Sequence, residues 1–424
     1  MGTQDEIEAG RLVAQLNQLL GDERWWVIDR RKEAEQQFES VVVAAFFDGM
    51  EAGKSSSAER RDARISLPTA GEGYSRILFT GTTGAGKTTL LRHLIGSSHR
   101  EDRFPSTSTA RTTTAEIEII TSASPFEAVV TFMPEHEVRA HVDECIEEAC
   151  LRAVQGQPDE KIMGAVLSHR EQRFRLSYVL GGWKQEAAEV SEDDFSFDDV
   201  AGEVDALPSG ETPTAEEVTE KRARLECYLT QIKTIAEKVA ASTSESLDTL
   251  DAQESPDDKA GWLEIFGEAL HDNDAFSRLA LDIMDDVETR FEIVREGEFE
   301  RSATGWPTLW GYRSEDREQF IRQLRWFASN HHLQFGRLLT PVADGIRTRG
   351  PFFPSVEDIR KIAPKLVLLD GEGIGHTAKA ASSISTKVTR RFSEADLILI
   401  VDNAEQPMQR LCRSWIELRT GERR

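Results

Sequence analysis

A lysine and a threonine stand together at positions 87 and 88, directly behind a cluster of small residues. The run Gly81-Thr82-Thr83-Gly84-Ala85-Gly86-Lys87-Thr88 matches the pattern GxxxxGK[ST] in full. Glycines at this density let backbone N–H groups converge on phosphate oxygens, and a helix N-terminus behind them adds a favourable dipole. Lys87 then reaches the β- and γ-phosphates, and the Thr88 hydroxyl takes Mg²⁺. The candidate nucleotide-binding set is Gly81, Thr82, Thr83, Gly84, Ala85, Gly86, Lys87, Thr88 and Thr89. A chance glycine-rich turn explains the glycines but not Lys87-Thr88 at this offset.

Such a loop needs an acidic partner for the metal, placed where a buried strand ends. The run Lys365-Leu366-Val367-Leu368-Leu369 leads into Asp370-Gly371-Glu372-Gly373, which fits DxxG. In that pattern Asp370 holds Mg²⁺ through water, and the Gly373 amide faces the γ-phosphate. Between the two motifs, Ser106 to Thr114 carries five threonines in nine positions after Phe104-Pro105. A threonine in such a loop reaches Mg²⁺ only when the γ-phosphate is present, which makes it a switch. Thr112 and Thr113 are the candidates, against the blander reading of a solvated polar loop. The metal set is thus Thr88, Thr112, Thr113 and Asp370. A catalytic role goes to Lys87 and Gly373, and His376 is a candidate for orienting the attacking water.

The elements that position these residues can be read from apolar periodicity. Ile77-Leu78-Phe79 forms a strand before the glycine loop, and Thr88 to Ile95 a helix after it. Ala115 to Ile120 and Ala128 to Phe132 look like a strand pair joined by a turn at Ser122 to Pro125. Leu397-Ile398-Leu399-Ile400-Val401, like the run before Asp370, is nearly unbroken, the mark of a strand buried on both faces of a parallel sheet. Helical spacing marks Val138 to Ala153, Trp262 to Leu270, Phe276 to Val294 and Arg317 to Phe327. Val218, Leu225, Ile232 and Val239 recur at sevenfold spacing, a seam suited equally to packing within one molecule or between two.

The chain has 424 residues, 75 of them acidic and 51 basic, for a net charge of −24. That charge disfavours nucleic acid and anionic membrane surfaces. Thirteen of the acidic residues fall between Gln185 and Glu220, where there is no Lys or Arg, and an exposed acidic loop is expected there. No apolar stretch is long enough to span a membrane, and four scattered cysteines suggest reduced thiols, so a cytoplasmic location is expected.

Phosphate loop, threonine-bearing loop after Phe104-Pro105, strand, DxxG and a following apolar strand together resemble the translation-factor-related P-loop GTPases. Within them, the helices before the phosphate loop are similar to the dynamin-like large GTPases. The resemblance covers residues 74–134 and 364–403. It implies GTP as substrate, GDP as product, Mg²⁺ as cofactor, and a catalytic role for Thr82, the loop position those proteins use. Three departures stand beside it: the long interval from Lys87 to Asp370, DGEG in place of DTPG, and no [NT]KxD after Val401. A P-loop ATPase, with Glu372 polarising water, is the competing enzyme reading. A scaffold that holds nucleotide without hydrolysing it, recruiting a partner through its insertion, is the non-enzymatic one.

The expected architecture is α/β: a P-loop core with a mostly parallel sheet, preceded by N-terminal helices and opened by a large, mainly helical insertion. The segments are 1–73 helical, 74–134 first part of the core, 135–363 insertion with the acidic loop at 185–220, and 364–424 second part of the core. Only twenty-three residues follow Val401, with no further apolar strand among them, which leaves open a core incomplete at that end and a poor discrimination of guanine from adenine. The insertion is the expected surface for a protein partner or self-association. Two weaker constellations remain: His136, His141 and Cys145 along one helical edge, a zinc spacing lacking a fourth ligand and read as structural, and Trp306, Trp310 and Trp326, read as core or partner-facing aromatics.

Overall fold

The computed structural model describes residues 6–25, 30–47, 57–81, 86–97, 104–105, 116–169, 174–183, 213–247, 256–329, 334–353, 364–370 and 395–401. The chain divides into two compact units, residues 1–60 and 61–424.

In the first unit, α1 (Glu6–Gly21), α2 (Arg31–Ala34) and α3 (Ser40–Phe47) gather a small apolar core from Leu12, Leu19, Trp25, Val42, Val43 and Phe47. Trp25 meets Phe38 edge to face at 5.5 Å. The helical expectation therefore holds for the described residues here. Residues 61–73 go with the second unit.

The second unit is built on one eight-stranded sheet. After α4 (Ser57–Arg64) come β1 (Ser75–Gly81), α5 (Lys87–Leu94), β2 (Glu116–Thr121) and β3 (Phe126–Phe132). A helical stretch follows: α6 (Glu135–Val154), α7 (Asp159–Leu167), α8 (Ser177–Leu180), α9 (Ala215–Leu247), α10 (Pro256–His271) and α11 (Asp274–Thr289). The chain then returns to the sheet with β4 (Glu298–Arg301), β5 (Pro307–Ser314), α12 (Arg317–Ala328), β6 (Ala343–Gly350), β7 (Leu366–Asp370) and β8 (Leu397–Val401). The strand order is β4-β5-β3-β6-β2-β7-β1-β8.

Three expectations need correction. The sheet is mixed rather than mostly parallel: β1 runs parallel to β7 and β8, and β2 to β6, but the β2–β7, β3–β6, β3–β5 and β4–β5 pairs are antiparallel. Next, β2 and β3 do not pair with each other. β6 lies between them, and the short link at residues 122–125 crosses the roughly 10 Å that one intervening strand occupies. Finally, strands return well before residue 365, because β4, β5 and β6 all lie within 135–363 and join the same sheet.

Period-two alternation assigns each strand residue to a face. Phe79, Ile117, Ile119, Val130, Ile346 and Leu368 face the large helical layer, with Leu91 and Ile95 of α5 in the same cluster. Leu78, Ile120, Val129, Val367 and Leu369 face the other way, against Ile65. That second face also buries charge. Arg61 donates to Glu116 at 2.9 Å and to the Thr131 hydroxyl at 2.7 Å, while Arg347 bonds Glu118 at 2.5 Å and pairs with Asp62. Both arginine side chains are about fully buried, so each carboxylate offsets a desolvation cost that an unpaired charge could not bear.

α9 carries the sevenfold seam, and Leu225, Tyr228, Ile232, Ile235 and Val239 are all buried in the main core with residues of α6, α7 and α11. The seam thus packs within the molecule. Of the acidic segment 185–220, residues 185–212 lie outside the described residues, and 215–220 form the first turns of α9. Trp306 and Trp310 are core residues, their indole N–H groups donating to Met133 O and Glu296 O; Trp326 is also buried.

Candidate functional site

β1 lies between β7 and β8, so the strand order runs one way from β1 to β2 and the other way from β7 to β8. In an open α/β sheet, ligands sit outside the carboxyl ends of strands at such a reversal. The carboxyl end of β1 is Gly81 and that of β7 is Asp370, so both motifs reach this edge.

Register fixes Asp370. It pairs with Phe79 of β1 on one side and Ile117 of β2 on the other. Two residues after Leu368, it points to the face that α5 covers. There Thr88, in the first turn of α5, donates its hydroxyl to Asp370 Oδ2 at 3.1 Å. Asp370 is completely buried, and its other oxygen, Oδ1, is buried without a hydrogen-bond partner among the described residues. Burial pushes the carboxyl up to about 6, against the downward pull of the Lys87 charge and the Thr88 hydroxyl.

Lys87 is buried, and its ammonium donates to Gly81 O at 3.0 Å. Burial lowers its pKa, and the charge of Asp370 works against that shift. The α5 N-cap is Gly86 at φ 92°, a left-handed conformation that suits glycine. Gly81, at φ 150°, is required on a second ground as well: a Cβ on it would stand 1.9 Å from the carbonyl oxygen of Val401 in β8. Thr89 is half-buried in the same first turn.

The far end of α5 is held as well. Arg317, at the start of α12, donates to the carbonyls of Ile95 and Gly96, both at 3.3 Å, and lies over the rings of Phe126 and Phe352. A cation on the last carbonyls favours the helix dipole and fixes the direction in which the N-terminus points. Sequence reasoning missed Arg317, since its target lies over two hundred residues earlier.

The structure therefore brings Gly81, Gly86, Lys87, Thr88 and Asp370 to one sheet edge. Thr82, Thr83, Gly84, Ala85, Thr112, Thr113, Gly373 and His376 lie outside the described residues, as do residues 402–424. Among the described residues no helix is long and apolar enough to cross a membrane. His136 is exposed and Cys145 buried, its thiol pushed up to about 12 by burial; His141 instead meets Glu144 and His169.

The arrangement can hold a divalent cation between a hydroxyl and a carboxylate, with an ammonium beside it for an anionic ligand. No model of a known protein family matches the chain, and no curated protein sequence matches it.

Proposed function

We propose that the chain binds a nucleoside triphosphate with Mg²⁺ and hydrolyses it to the diphosphate and phosphate, as a conformational switch. The observation that carries this reading is the Thr88–Asp370 contact at 3.1 Å, which joins the glycine loop to the strand-end acid across 282 residues. A buried carboxylate oxygen without a partner among the described residues fits a cation with hard oxygen ligands. Thr88 and Asp370 would hold Mg²⁺, which when bound neutralises charge on the phosphate oxygens.

The remaining chemistry belongs to the chain. Backbone N–H groups at the α5 N-terminus bind phosphate oxygens. Lys87 leaves the Gly81 carbonyl for the β- and γ-phosphates, exchanging a neutral acceptor for a charged one. Burial of Lys87 and Asp370 excludes water and strengthens each electrostatic contact. Positioning and charge neutralisation supply most of the rate in this chemistry.

GTP is the favoured substrate on the resemblance of the motifs to translation-factor-related GTPases, with the dynamin-like branch and the role of Thr82 resting on that resemblance alone. The phosphate contacts are common to GTP and ATP, so an ATPase is the second reading. Mg²⁺-dependent phosphate release from GTP and from ATP, measured against a Lys87→Ala control, tests the proposal. Release from GTP that disappears in the variant supports it. Equal background in both proteins contradicts hydrolysis and leaves the nucleotide-holding scaffold.

A further inference from the structure

On the helical layer, α6 and the segment after α7 bring together three side chains that the phosphate site does not use. His141 and Glu144 lie three residues apart on α6, so both project from one face. His169, two residues beyond the end of α7, comes to meet them. One ligand atom from each of the three residues lies within 4.8 Å of the other two. His169 Nε2 is 2.5 Å from Glu144 Oε2, and the two imidazole rings are 4.9 Å apart between centroids.

We infer that His141, Glu144 and His169 form a binding site for a borderline-soft divalent cation, zinc before the others, with solvent as the fourth ligand. The donor set decides the class of ion. Two imidazoles and one carboxylate suit zinc and its neighbours among the transition metals, whereas Mg²⁺ requires oxygen ligands. Zinc–nitrogen and zinc–oxygen bonds of about 2.1 Å put tetrahedral ligands about 3.4 Å apart. The histidine–glutamate contact must therefore open by about 1 Å. Glu144 can open that contact, because its side chain is 60% exposed while that of His169 is 5% exposed.

The surroundings define the rest. His141 stacks on Phe174 at 5.1 Å, and the His169 N–H donates to Phe174 O at 3.1 Å, so His169 and Phe174 are tied together beside the site. The ring of His141 is therefore oriented by an aromatic neighbour and His169 by its own backbone. Glu144 opens the site to solvent, which leaves room for water as the fourth ligand. A bound cation would join α6 to the segment after α7, and a net charge of −24 attracts cations to this molecule at long range. Cys145, next in sequence to Glu144, stands outside the ligand set: it is buried, and its sulfur is not among the atoms that gather within 4.8 Å.

The test is zinc titration of the chelator-stripped full chain in competition with a chromophoric chelator, with circular dichroism to confirm folding. The expected result is one Zn²⁺ per chain, weakened at least about tenfold by His169→Ala and by Glu144→Gln, the latter an exposed near-isostere that leaves the core intact. Cys145→Ser and Asp370→Asn should bind zinc as the wild type does, which separates this site from the thiol and from the phosphate site. Zinc binding no tighter in the wild type than in the His141→Ala/His169→Ala double variant would overturn the inference and leave a hydrogen-bonded histidine–glutamate pair. Unchanged affinity in folded Glu144→Gln and His169→Ala would overturn it equally.

Discussion

Thr88 donates a hydrogen bond to Asp370 at 3.1 Å, and the second oxygen of the same carboxylate is buried with no partner among the described residues. A folded protein rarely leaves a buried acceptor unmatched, since desolvating it costs about 1–3 kcal/mol. The cost makes sense at a site whose ligand supplies the missing interaction. Removing the charge should therefore separate stability from function. Asp370→Asn should raise the stability of the ligand-free protein at pH 7.5, by on the order of 2 kcal/mol, and abolish Mg²⁺-dependent nucleotide binding. Denaturant melts and binding measured on the same variant check both halves.

The same carboxyl sets a pH dependence. Its folded pKa, about 6, is above the ordinary value of 3.8, so the folded ligand-free state binds the extra proton between these values. Its contribution to stability consequently declines as pH rises from about 4 to 6, and the full cost of the buried charge is present above that. Metal binding runs in the opposite direction, because only the ionised carboxylate is a ligand. Mg²⁺ affinity should be level above pH 7 and fall by about tenfold per unit below pH 6. Mg²⁺ titrations of the wild type from pH 5 to 8 in the presence of nucleotide test this, and an affinity that stays level across the range would contradict it.

Two glycines of the loop should respond differently to alanine. At Gly86 a Cβ meets nothing within 4 Å, so Gly86→Ala bears only the left-handed backbone strain, about 1–2 kcal/mol. At Gly81 the Cβ would collide with the Val401 carbonyl at 1.9 Å, a backbone atom that cannot move without shifting β8. Gly81→Ala should therefore lose distinctly more stability than Gly86→Ala in thermal or denaturant melts.

The buried charges beneath β2 and β6 give a fourth expectation. Arg347→Met leaves Glu118 without its closest partner at a side chain 6% exposed. Breaking a buried pair from one side costs about 3–5 kcal/mol, which denaturant unfolding should detect. A loss under about 1 kcal/mol would mean that Arg61, 3.4 Å from the same carboxylate, is sufficient.

That network also explains what the sequence concealed. The meeting of Thr88 with Asp370 was legible because the motifs set these residues at fixed offsets behind strands and because β7 and β8 are unbroken apolar runs. β6, Ala343–Gly350, has no such run. Its buried face carries Arg347, and the residue that makes this burial tolerable, Glu118, lies 229 positions earlier. The separation of β2 from β3 was hidden for the same reason, since the strand between them had no recognisable pattern. His169 was likewise invisible as a partner of His141 until the packing of α7 against α6 was in place, although the His141–Glu144 spacing was already on the helix.

The most direct test of the central claim, that Thr88 and Asp370 complete a metal-dependent phosphate site, is a thermodynamic one. Affinity for a non-hydrolysable GTP analogue should be measured by calorimetry with Mg²⁺ and with EDTA, in the wild type and in Asp370→Asn. Mg²⁺ should strengthen binding at least about tenfold in the wild type and not in the variant. Equal strengthening in both proteins, or no binding in either, would contradict it.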